Sequence, residues 1–184
     1  METRATRTKH VSGTIRSVLP GRRSLRSSIG LFTAAGLTAA LTFATVWATP
    51  SSGLTTVNVA RATIAEEFKV HAHTDLLNVK IESKGPVDAV VNSSKLAPGG
   101  TVGWHSHTGP VIVQIRRGSM TLYDEACNAQ VVFAGEAFVE NVTGDHVHTV
   151  RNEGIEDLEW TATSLIPVGA VGRIDRPAPS GCPL

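Results

Sequence analysis

The sequence predicts an all-β domain, a sandwich or barrel of short strands, set behind an N-terminal export segment. Three observations predict it. No stretch after residue 70 sustains a helical period over three turns. Short apolar or alternating runs recur instead at about 8–12 residue spacing, punctuated by Gly. The first 48 of the 184 residues differ in character from the remainder.

That head carries Arg4, Arg7, Lys9, Arg16, Arg22, Arg23 and Arg26 against Glu2 alone, and residues 29–47 follow as 19 uncharged residues. Val46-Trp47-Ala48 suits a signal peptidase, so residues 1–48 read as a signal peptide cleaved before Thr49. Arg22-Arg23 resembles a twin-arginine export signal. The alternative is a transmembrane anchor over residues 29–47, since about 20 apolar residues span a bilayer. Either reading places the body outside the cytoplasm, secreted or periplasmic. From Thr49 onward, 10 Lys and Arg stand against 15 Asp and Glu, a net of −5. This acidic body lacks a basic stripe and argues against nucleic acid as a partner. Its 136 residues make one domain.

Residues 49–70 read as linker and N-terminal arm. Ser51 to Thr56 has linker composition, and Val57 to Phe68 suits either a first strand or a short helix. Strands are expected at Leu77–Glu82 and Val87–Leu96, then through His105 and His107, which leave the same face of an extended segment. Val111–Ile115, Met120–Tyr123, Gln130–Phe133, Ala137–Glu140, Val147–Arg151 and Leu158–Ile166 continue the pattern to the end of a barrel spanning residues 71–176. Residues 177–184 form a Pro-rich tail. Cys127 and Cys182 are the two cysteines, an even number in an exported chain, and are expected to form a disulfide tying that tail to the barrel.

Gly99, His105, His107 and Gly118, with His148 and Asn152, resemble the two motifs of the cupin superfamily across roughly residues 87–166. The frame departs at position 111, where Val111 stands in place of a glutamate, and the proline before the second-motif histidine is absent. The resemblance implies a double-sheet jelly roll. It also implies metal ligation by His105, His107 and His148, with a substrate entering the barrel mouth beside them. Three imidazoles suit a divalent transition metal such as Fe, Cu, Zn, Ni or Mn. Gln114 is the nearest polar substitute for the missing carboxylate, but strand alternation turns it away from the face of Val111. Restoring a glutamate at 111 is expected to tighten metal binding. His146 shares a strand face with His148 and is the candidate pocket acid/base or substrate contact. His71 and His73 repeat the H-x-H spacing without the glycine frame and read as a polar strand face. Trp104, Tyr123, Phe138 and Trp160 read as core or pocket wall.

Neither a G-x-S-x-G elbow nor a glycine-rich phosphate loop occurs, and neither cysteine has the setting of a catalytic thiolate. Two functions remain. One is a metal-dependent enzyme, an oxygenase acting on a small organic molecule; the other is a non-catalytic module that binds or senses a small ligand. A homodimer stands open beside a monomer.

Overall fold

In the computed structural model the described residues are 48–140 and 146–182, and all regular structure among them is β. The strands are β1 (Ser52–Ile64), β2 (Phe68–His73), β3 (Asn78–Ser83), β4 (Val87–Thr101), β5 (His105–His107) and β6 (Val111–Arg117). They continue as β7 (Ser119–Asp124), β8 (Ala129–Phe133), β9 (Ala137–Glu140), β10 (His148–Arg151), β11 (Leu158–Pro167) and β12 (Arg173–Asp175). The expected signal or anchor segment lies outside the described residues. Among the described residues no helix is long and apolar enough to cross a membrane.

Ten strands form one antiparallel sheet that runs β12-β5-β10-β4-β11-β6-β9, with β1 on β4 and the β7–β8 pair on β10. It rolls into an all-β, barrel-like body. Alternation in the sequence decides which side chains enter. In β6, Val111, Val113 and Ile115 are buried while Ile112 and Gln114 face outward, as a period of two requires. These three join Leu96, Val102, Met120, Val132, Val150, Leu158 and Trp160 in a single core. Each buried aliphatic side chain contributes about 1.5–3 kcal/mol relative to exposure.

Several elements differ from the expectation. The segment of linker composition enters β1, which pairs with β4 from Ser52 to Ile64 through two register irregularities. Its Ser, Thr and Gly content disguised an outer strand that draws its order from the ladder to β4, since nearly all its side chains are exposed. The barrel sheet therefore begins at Ser52 and not at residue 71. Conversely, β2 and β3 pair only with each other, as a separate two-stranded sheet. The barrel also contains β12, three residues long and too short to leave a periodic signal.

The motif residues that do not face the cavity have structural duties. Gly99 and Gly118 both adopt φ of +73°, a conformation costly to any residue with a Cβ. Asn152 is buried, and its Nδ2 donates at 2.8 Å to the carbonyls of both Leu96 and Glu156 while Oδ1 accepts from Gly154 N. Its backbone exchanges hydrogen bonds with Gly99 and Gly100. Asn152 thus ties the end of β10 to the entrance of the first motif. Cys127 and Cys182 are joined in a disulfide, their Cα atoms 5.3 Å apart, a spacing typical of such bonds. A disulfide is compatible with an extracytoplasmic location.

Candidate metal centre

Three short strands bring the site together. His148 on β10 lies directly opposite His105 on β5, and His107 follows two residues along the same strand. Period-two geometry turns both β5 histidines to one face, and the cross-strand pairing brings His148 to it. The ring centroids are 4.9 Å apart for His105 and His107, 4.3 Å for His105 and His148, and 5.3 Å for His107 and His148. One nitrogen from each ring lies within 4.8 Å of the others. The motif histidines thus face one another from paired strands and the motif asparagine braces their turn. The fold is an all-β, barrel-like body that presents these residues as the cupin resemblance implies.

The fourth participant is Glu140, which the sequence reading missed. It ends β9, buried to 8% exposure, directly across from Val111 in the β6–β9 ladder. Its Oε2 lies 2.9 Å from His107 Nε2 and its Oε1 lies 3.5 Å from His148 Nε2. A carboxylate therefore stands one strand over from position 111, beside His107 and His148. The available signal was alternation in Ala137-Phe138-Val139-Glu140, which puts Glu140 on the face of the core-packed Phe138.

The three histidines are placed so that they could hold a metal ion. His105 Nδ1 lies 2.7 Å from the carbonyl of Gly103, and His107 Nδ1 lies 2.8 Å from that of Gly172. A carbonyl only accepts, so each Nδ1 carries its proton, and Nε2 is the nitrogen that presents a lone pair when the ring is neutral. Nε2 of His107 and of His148 are buried without a hydrogen-bond partner among the described residues. The Glu140 oxygens are near, but neither makes a hydrogen bond to these nitrogens. Three imidazole nitrogens beside a buried carboxylate fit a divalent transition metal, the carboxylate adding to the suitability for iron or manganese.

Electrostatics keep His105 and His148 in the ligating form. Burial holds His105 well below the usual histidine range, with His148 and His107 adding to the effect. Burial likewise lowers His148 from 6.5 to about 4, outweighing the nearby Glu140, which acts to raise it. Neutral rings need lose no proton to bind a cation.

A cavity of about 380 Å³ opens beside these groups, lined by His105, His107 and Glu140, by apolar residues including Val102, Met120 and Trp160, and by Thr56, Asn92, Ser94 and Ser164. Gln114 is outside it, paired with Ala137 on the outer face. His146 is not among its lining residues either. It is exposed and lies 3.3 Å from Glu125 Oε1, so the candidate pocket acid/base sits on the outer surface. The reason is that the backbone before β10 is not a regular strand, which removes the alternation that would align it with His148. Of the aromatic residues, Trp160 lines the cavity and Trp104 is fully buried, while Tyr123 donates from its hydroxyl to Glu153 on the exterior. His71 and His73 lie on the separate hairpin.

No protein-family model matches the chain, and no curated protein matches it. Among solved structures it resembles a Klebsiella pneumoniae protein with a double-stranded β-helix domain, at 18% identity and TM-score 0.42, over 62% of this chain and 82% of that one. It also resembles a cupin-like protein of Thermotoga maritima, at 21% identity and TM-score 0.42, over 49% and 65% of the respective chains. A salicylate 1,2-dioxygenase of Pseudaminobacter salicylatoxidans is similar at 14% identity and TM-score 0.36, over 41% of this chain and 20% of that one.

Proposed function

We propose that this cupin-type barrel is an exported metalloprotein in which His105, His107, His148 and Glu140 hold one divalent transition metal, and that it acts as an enzyme on a small organic molecule bound in the adjoining cavity. The observation carrying this reading is the pair of buried Nε2 atoms left without hydrogen bonds beside a buried carboxylate. Leaving such groups unpaired costs about 1–3 kcal/mol each, more where charge is involved, unless something else satisfies them. When bound, the metal supplies Lewis acidity or, as iron or copper, the capacity for oxygen chemistry. The chain's own residues do the rest. Gly103 and Gly172 carbonyls orient the β5 imidazoles, Val102, Val150 and Trp160 exclude water, and the cavity confines the substrate beside them.

A second reading, non-catalytic ligand binding, is favoured by one observation. Apart from the candidate metal ligands and a single arginine, the cavity's polar residues are Thr56, Asn92, Ser94 and Ser164, none of which is an acid or base at neutral pH. Elemental analysis of the exported protein, followed by oxygen-uptake screening with small phenols, diketones and thiols, separates the two. Bound iron or copper with oxygen consumption supports the enzyme. Stoichiometric zinc with ligand binding but no turnover supports the binding module, and absence of any transition metal refutes both as stated.

A further inference from the structure

The cavity beside the histidines is lined by a single cationic side chain among the described residues. Arg173, on β12, lies directly across from His107 in the β12–β5 pairing. Its Nη2 donates to the Val102 carbonyl at 2.6 Å and lies 2.7 Å from Asp175 Oδ1. Nε is buried and has no hydrogen-bond partner among the described residues. The guanidinium is thus fixed at one nitrogen and left with an unused donor at another. Asp175 offsets its charge only in part, because that carboxylate is 57% exposed and screened by solvent.

We propose that Arg173 is the anion-recognition residue of this cavity, with its Nε–H donating to the carboxylate of a small organic acid. The acid's apolar body packs against Val102, Val150 and Val171. Charge and donor count both select a monoanion. Glu140 sits in the same cavity and repels a second negative charge. A phosphate, with three acceptor oxygens, needs more donors than one free Nε–H and the neighbouring hydroxyls present. The volume of about 380 Å³ is near the lower end of ligand sites, roughly 300–1,000 Å³, and suits a compact acid.

This inference rests on reading the cavity as the ligand site, and it is testable with or without metal. The full chain, its metal content measured, is titrated calorimetrically with benzoate and with straight-chain carboxylates from acetate to octanoate, each paired with its neutral amide. At least one carboxylate is expected to bind about tenfold or more tightly than its amide. Arg173→Met should abolish that preference while leaving amide affinity and metal content unchanged, and Arg173→Lys should restore part of it. Asp175→Asn should strengthen carboxylate binding, because it frees the guanidinium, whereas a purely structural ion pair would make the same change neutral or harmful. No carboxylate preference in the wild-type protein, or a preference that survives in Arg173→Met, overturns the proposal. Loss of metal with the carboxylate preference intact would instead count against the metal reading alone.

Discussion

Two H-x-H segments in this chain share the same spacing and meet different fates. His71 and His73 lie on β2, exposed, their rings 5.9 Å apart, with His71 Nε2 lying 2.9 Å from Asn78 Oδ1 on the neighbouring strand. His105 and His107 lie on β5 with rings 4.9 Å apart, each Nδ1 against a backbone carbonyl. Spacing alone puts two imidazoles on one side of a strand. What makes the second pair a site is the company: a third histidine across the ladder, a buried carboxylate, and carbonyls that determine which nitrogen is free. The hairpin has none of these. In water its histidines are as well satisfied by solvent as by an ion.

Several substitutions break this contrast or sharpen it. Replacing His105, His107 or His148 by Ala should each remove most of the bound metal, whereas His71→Ala and His73→Ala should leave metal content unchanged by elemental analysis. Equal losses at the two pairs would erase the distinction.

The next effect is on pH. In the metal-free protein His148 titrates near 4 against 6.5 when unfolded. Above pH 6.5 both states are neutral and stability is full; as pH falls toward 4 the unfolded chain takes up a proton that the folded one refuses. This single group should therefore cost about 3 kcal/mol across that window. Urea titrations between pH 7 and 4 measure the slope, and His148→Gln should reduce it, leaving the contribution of His105, which burial also holds low.

Glu140→Gln should weaken metal affinity by at least about tenfold while preserving the fold. Val111→Glu alone, which the motif frame suggests as an improvement, is expected to give none, because it sets two carboxylates directly across the ladder. In the Glu140→Gln background the same change should recover affinity, and competition with a metal-sensitive dye measures both. The smallest expected effect belongs to the hairpin. His71→Ala and His73→Ala should each shift stability by no more than about 0.5 kcal/mol in chemical denaturation.

The contrast also explains what could be read from the sequence. Strand after strand was legible between Val87 and Ile166, because apolar and polar residues alternate and glycines mark the turns. The three central histidines and the disulfide were legible because their cues are local spacing and residue type. Glu140 was not, since its relation to Val111 exists only in the β6–β9 register, which no single strand encodes. Arg173 was hidden for a similar reason, on a three-residue strand whose partner lies 66 positions earlier. His146 illustrates the converse: it stands at the right spacing, but on irregular backbone, so period two does not apply.

The disulfide has a topological meaning for the site. By linking Cys127 to Cys182 it makes a covalent macrocycle of the intervening chain, and that ring contains Glu140, His148 and Arg173 but not His105 or His107. The pocket is therefore assembled by threading an open segment, β5, against a closed one. Before folding, the ring already limits how far Glu140, His148 and Arg173 can stray from one another, and thiol reduction returns that freedom to one half of the ligand set while leaving the other half untouched.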